Sequence, residues 1–216
     1  MRSPKSVQSG DLHPSKSTTD LLGTRDRELV QIVDAALSDA ARRSGSWLAC
    51  RPGCTQCCIG VFAINQLDAR RLRGGLAELE QSDPERAQKV RQRAEAAVQR
   101  LQAGFPGDLS AGVVAEDSDE FRAFANDEPC PVLDPETRQC DLYAARPMTC
   151  RVFGPPVRTE GGLGVCELCF QGATPEQIAA CELHADTDQL ETKLLRRLER
   201  STGRRGNTIV AFALGR

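Results

Sequence analysis

The chain has 216 residues and a mass of 23.5 kDa, enough for one ordinary hydrophobic core or two small ones. Its ten cysteines are too dilute for a disulfide-stapled miniprotein, where Cys exceeds about 8–10% of a short chain, and an aromatic content of 4% makes a lean core to which a metal can add folding energy. A net charge of −2 sets up no global field toward nucleic acid or a membrane surface, so neither is an expected partner.

The first twenty residues lack the apolar stretch of a signal peptide, and the chain has neither a lipidation box nor an apolar span of about 18 residues. The expected location is the cytoplasm, where clustered cysteines serve as metal ligands or catalytic thiols rather than disulfides.

Residues 1–23 are rich in Ser, Lys, Thr and Pro without apolar periodicity, which predicts a disordered N-terminal arm; residues 24–216 are read as one domain. From Thr24 to about Arg43, Leu29, Ile32, Val33, Ala36, Leu37 and Ala40 recur at helical spacing, and Ser44-Gly45 ends that helix. Ile59–Ile64 reads as a short strand or extended segment, and Asn65 as the cap of a helix carrying Leu67, Leu72 and Leu76. Ser82-Asp83-Pro84-Glu85 has the form of a capping box opening a helix that runs to Gly104. The arginines and lysine on that helix are expected to be solvated surface, because Glu85 and Glu95 interrupt them and no aromatics interleave.

Further on, Cys130-Pro-Val-Leu-Asp and Gln139-Cys-Asp-Leu-Tyr flank a Pro-Glu-Thr-Arg turn, and residues 157–165 are split by glycines; both read as hairpins. Thr174-Pro175-Glu176-Gln177 opens a capped helix and Asp186 to about Arg200 a second one. The apolar end, TIVAFALG, reads as a last strand.

The cysteine spacing is the strongest signal. CRPGCTQCC, residues 50–58, holds four cysteines in nine positions; after 71 residues come C-x9-C-x9-C, then x15-C-x2-C-x11-C. They stand beside Gly, Pro and turn residues, in loops able to wrap a centre, and Cys54-x2-Cys57 is a spacing at which a tight turn aims two sulfurs at one ion. The only histidines are His13 and His184, so a centre built here is almost wholly thiolate, which favours zinc, iron–sulfur or Cu(I) over magnesium, manganese or calcium. Four thiolates on zinc or on an oxidised four-iron cube leave a net charge near −2, which Arg51, Arg138, Arg146 and Arg151 are placed to offset; Arg146 and Arg151 are the candidate cofactor-side residues.

Together Cys50-Arg-Pro-Gly-Cys54-Thr-Gln-Cys57-Cys58, Cys130-Pro-Val-Leu-Asp and Cys140-Asp-Leu-Tyr143-Ala-Ala-Arg146-Pro147-Met-Thr-Cys150-Arg151-Val-Phe153 resemble the YkgJ-type cysteine-cluster family, over about residues 50–170. The family is described as a zinc- or iron-chelating domain. The resemblance implies an iron–sulfur cluster or zinc, with iron–sulfur favoured because the thiolates exceed one tetrahedral site. The implied ligands are Cys50, Cys54, Cys57, Cys58, Cys130, Cys140, Cys150 and Cys166, with Cys169 competing for the last place.

Several roles stay open: an iron–sulfur oxidoreductase-like protein with a redox or other protein partner, a zinc-stabilised scaffold, or a protein lysine N-methylase, since one branch of the family is associated with flagellin methylation. No glycine-rich S-adenosylmethionine loop supports the last. C-x3-C-x2-C also occurs in radical S-adenosylmethionine enzymes, but their barrel needs repeating βα units of about 30 residues, and helices dominate here. A reactive-thiol oxidoreductase would want an exposed Cys-x-x-Cys at a helix start, which Cys54–Cys57 lacks. Spacing alone suggests a further site, Cys166-x2-Cys169 with Cys181-x2-His184, the last two on one helical face. The expected fold is α+β: one mostly helical domain with short irregular strands around a cysteine-lined metal centre.

Overall fold

A computed structural model of the chain describes residues 16–159 and 161–216. Its first helix, α1, spans Lys16–Ser44 and so begins inside the segment read as a disordered arm. Leu22 extends the apolar stripe of Leu29 and Val33 by two turns and is buried with them, which the sparse apolar content before Thr24 concealed. The part of the arm before residue 16 lies outside the described residues. The Ser44 hydroxyl donates to the Ala40 carbonyl (2.7 Å), and Gly45, at φ +50°, turns the chain out of the helix.

Asn65 caps α2 (Gln66–Ser82) as expected, its side-chain oxygen accepting from the N–H groups of Leu67 (2.9 Å) and Asp68 (3.0 Å). The next cap is displaced by one residue. Ser82 spends its hydroxyl on the Glu78 and Leu79 carbonyls at the end of α2, and Asp83 instead accepts from the Arg86 N–H to start α3 (Pro84–Leu101). Gly75 of α2 lets the single turn Tyr143–Ala145 approach, since a Cβ there would overlap that of Ala145.

Helix α4 (Asp119–Ala123) is short, and so are α5 (Met148–Arg151) and α6 (Pro175–Ala179); α6 has the full Thr174–Gln177 capping box. Helix α7 (Leu190–Thr202) repeats Leu190, Leu194 and Leu198 along the stripe that packs on α1, and Gly203 ends it at φ +71°.

The C-terminal apolar run is not a strand. The chain is extended through Thr208, which bridges Ile64, and Ile209, and then coils into α8 (Val210–Leu214), buried along its whole length. A short run that is apolar on every side carries no periodicity to tell the two apart. Strands are few: β1 (Gly107–Asp108) pairs with β2 (Val113–Val114) and β3 (Val157–Thr159) with β4 (Gly162–Gly164), both antiparallel. The fold is thus the expected mostly helical α+β domain.

Three apolar clusters hold the helices. α2, α3 and α8 share Leu72, Leu76, Val90, Ala94, Val210 and Leu214; α1, α7 and Leu67 of α2 form the second; Ala97, Leu101, Ile209 and Phe212 form the third with Phe105, whose ring stacks on Phe212 at 4.5 Å. Each fully buried Leu adds about 1.5–3 kcal/mol. A fourth, smaller cluster has cysteines for its core: Cys166, Cys169 and Cys181 with Phe170, under Trp47, Leu48 and Ala49.

Candidate metal centre

All ten cysteines are free thiols. Backbone pairing decides which of them meet. The segment after Cys58 runs antiparallel to the chain before Cys130: the Cys130 N–H donates to the Cys58 carbonyl (2.8 Å), Ile59 bridges Pro129, and the Gly60 N–H donates to the Glu128 carbonyl (2.9 Å). Cys57 and Cys58 lie in one tight turn, Gln56–Cys58, with their sulfurs 4.0 Å apart.

Cys130 and Cys140 are carried by the expected hairpin, closed by the Leu133–Cys140 bridge and a turn in which Arg138 takes φ +56°. The Asp141 side chain, 1% exposed, fastens that hairpin to α3, accepting from Arg86 at 2.5 Å and from Arg93. Arg93 also donates to the Pro131 carbonyl (2.9 Å).

Cys150 lies on α5, which is hung from α2: the Met148 N–H donates to the Asp68 carboxylate (2.9 Å), itself paired with Arg71. Asp68 and Asp141 are structural acids that the sequence reading missed; only the Asp68–Arg71 spacing hinted at either.

Electrostatics sorts the thiols into two sets. Cys57 is pulled down to about 6 by the hydrogen bond it accepts from Cys58, with its own backbone N–H and the Arg146 guanidinium adding to it. Cys58 is pushed up by the same bond, then by burial and the neighbouring charges of Cys57, Cys130 and Cys140. Cys150 is raised by burial first, then by Cys130, Cys57, Cys140 and Asp68. Burial likewise raises Cys140 and lifts Cys130 to about 12. These five form one set.

Cys50 is raised to about 12 by burial and by Cys169, Cys54 and Cys166, and Cys166 is raised by burial, Cys169 and Cys54. These four form the other. Cys166 and Cys169 are buried, Cys54 is half-buried and Cys50 is exposed; a bound cation would favour every thiolate of a set at once. Among the described residues no three Cys, His, Asp or Glu side chains already converge as a ligand group, so the sets are gathered rather than closed. Their chemistry nonetheless fits zinc or iron: all nine donors are sulfur, and each set has four or more.

The arginines divide. Arg146 is buried beside Cys57 and Cys140, with its guanidinium 3.9 Å from the centre of the Tyr143 ring and a donor on the Tyr143 carbonyl (3.3 Å). Arg151 turns to α1 instead, holding Asp34 (2.7 and 2.9 Å) and the Ala144 carbonyl (2.6 Å). Arg51 and Arg138 line an open cavity of about 580 Å³ beside Cys54, where Arg138 donates to the Thr55 hydroxyl.

The expected knuckle of Cys181 and His184 is not formed. α6 stops at Ala179, so the two do not share a helical face; Cys181 is buried in the apolar cluster, and His184 is exposed. Arg43 holds that turn by donating to the Ala180 and Glu182 carbonyls (2.6 and 2.9 Å).

Among the described residues no helix is long and apolar enough to cross a membrane. A family model, CxxCxxCC, of a domain proposed to chelate zinc or iron, matches residues 49–169. No curated protein and no solved structure matches the chain.

Proposed function

Because the chain belongs to the CxxCxxCC family of zinc- or iron-chelating domains, we propose that it is a metal-binding protein whose principal centre is an iron–sulfur cluster held by Cys57, Cys58, Cys130, Cys140 and Cys150. The observation that carries this reading is the gathering of five thiols from three separate stretches, with the buried Arg146 beside two of them, Cys57 and Cys140. Four of the five sulfurs satisfy a cluster, as they would a single zinc, and the fifth is left to hydrogen-bond. Arg146 offsets the negative charge that the cluster and its thiolates place in a half-buried site. A bound cluster supplies one-electron chemistry, and the exposed Ile59 and Tyr143 nearby suit contact with a redox partner.

Purification without oxygen, followed by iron, acid-labile sulfide and zinc assays, tests the reading. Brown protein with iron and sulfide in equal amounts supports it. Colourless protein that carries zinc alone, and takes up no cluster when supplied with iron and sulfide, overturns it in favour of a zinc-stabilised scaffold.

A further inference from the structure

We infer that Cys50, Cys54, Cys166 and Cys169 form a second, separate metal site, a closed four-thiolate zinc site that fastens the Trp47–Gln56 segment to the Cys166–Phe170 turn. The inference rests on the reading above only in taking the thiols as metal ligands. It does not depend on which metal the other set holds.

Each half is a tight turn. The Cys54 N–H donates to the Arg51 carbonyl (2.9 Å) and the Cys169 N–H to the Cys166 carbonyl (2.9 Å), so Cys166-x2-Cys169 has the spacing and the closed turn of a zinc knuckle. Two clamps lay the halves together. On one side the Phe170 N–H donates to the Trp47 carbonyl (2.9 Å) and their rings stack with centroids 6.5 Å apart; on the other, Gln56 donates to Glu167 (2.5 Å).

The Cys50 sulfur sits against the bare Cα of Gly154, which lies at φ +124°, and a side chain there would come within 2.8 Å of it. Cys166 and Cys169 are 6% and 3% exposed, packed against the partly buried Trp47, Leu48 and Ala49, while Cys50 on the facing segment is exposed. Four sulfurs drawn from both halves are the complement of a closed structural site, which needs no open position.

The region also needs a staple. Its apolar cluster is the smallest of the four, so little apolar burial holds it without a metal. Cys181 shares that cluster but lies past the end of α6, outside the Cys166–Phe170 turn that the two clamps lay against Trp47, and it is not assigned as a ligand.

Metal counting on the full chain, purified without oxygen, decides the matter. Zinc, iron and sulfide per chain are measured for the unchanged protein, for Cys166→Ser with Cys169→Ser, for Cys130→Ser with Cys150→Ser, and for Cys181→Ala. The first pair of changes is expected to remove one equivalent of zinc and leave the metal of the other set. The second pair is expected to remove that other metal and keep one zinc, and Cys181→Ala to keep everything.

If the Cys166/Cys169 variant does not fold, Cys54→Ser, on the rim of the open cavity, takes its place with the same expectation. The inference is overturned if these changes leave the metal count unchanged, or if either set's loss empties both. An unchanged protein free of all metal sinks the metal-binding reading as well, while zinc that follows Cys166 and Cys169 in a protein without iron sinks only the cluster.

Discussion

Gly75 of α2 lies flush against Ala145, close enough that a Cβ on the glycine would overlap the alanine's own. Its neighbour Gly74 faces open space. That contact seats the turn that places Arg146 beside Cys57 and leads into Cys150. Gly75→Ala is therefore expected to cost about 1–3 kcal/mol and to lower metal content, because the turn must shift. Gly74→Ala is expected to stabilise the protein by about 0.5–1 kcal/mol, since a helical glycine without neighbours loses only chain freedom. Denaturant melts of the two variants make the comparison.

Cys57 sets the pH at which the metal-free protein becomes reactive. Its folded value of about 6 lies below the ordinary thiol value of 9.0, so its thiolate fraction rises with pH through about 6, while Cys58 stays protonated. Alkylation rates of metal-free protein should reach half their plateau near that pH. Cys58→Ala should move the midpoint up most, because the bond from Cys58 is the largest cause, and Arg146→Gln less. Unmoved midpoints in both variants would show that neither group holds the thiolate.

Asp68 gives the opposite sign. Burial outweighs Arg71 and lifts its carboxyl to about 6, so the folded state holds this proton more tightly than the unfolded chain does. Its contribution to stability is then greatest below the unfolded value near 3.8 and is lost as pH rises through about 6. Metal-free protein should lose on the order of 2 kcal/mol between pH 4 and 7 from this group, and Asp68→Asn should remove that slope. Asp68→Ala, which leaves the Met148 N–H without its acceptor while Arg71 keeps Asp26 (2.7 Å), should cost about 1–3 kcal/mol at neutral pH.

Cys57 and Cys150 belong to stretches far apart in sequence, and a metal bridging them closes a long loop. Replacing either by Ser should lower metal content and broaden thermal melting. A Cys57→Ser protein with the metal and melting temperature of the unchanged chain would remove that residue from the centre.

What could be read in advance was chemistry local in sequence. The Asn65 cap, the Thr174–Gln177 box and the turn between Cys130 and Cys140 each depend on groups within a few positions of one another, and each formed. The family membership followed from quoted blocks of the same kind. What stayed hidden depends on pairing across the chain. No spacing rule shows that Arg151 turns to Asp34, 117 positions away, or that Trp47 meets Phe170 and so draws Cys169 beside Cys50. The C-terminal helix was lost for a different reason: a run buried on all sides bears no stripe.

The fastening of Asp141 to Arg86 and Arg93 means that Cys130 and Cys140 are delivered to their places by α3 itself, with no ion needed to recruit them. Opening of the chain should therefore come in two tiers. Amides within α2 and α3 should exchange their hydrogens slowly whether or not the thiols are occupied. Those of the loops at 47–58 and 166–170 should exchange far faster once the metal is withdrawn. The emptied protein should then persist as a folded acceptor rather than as a chain waiting for metal before it can fold.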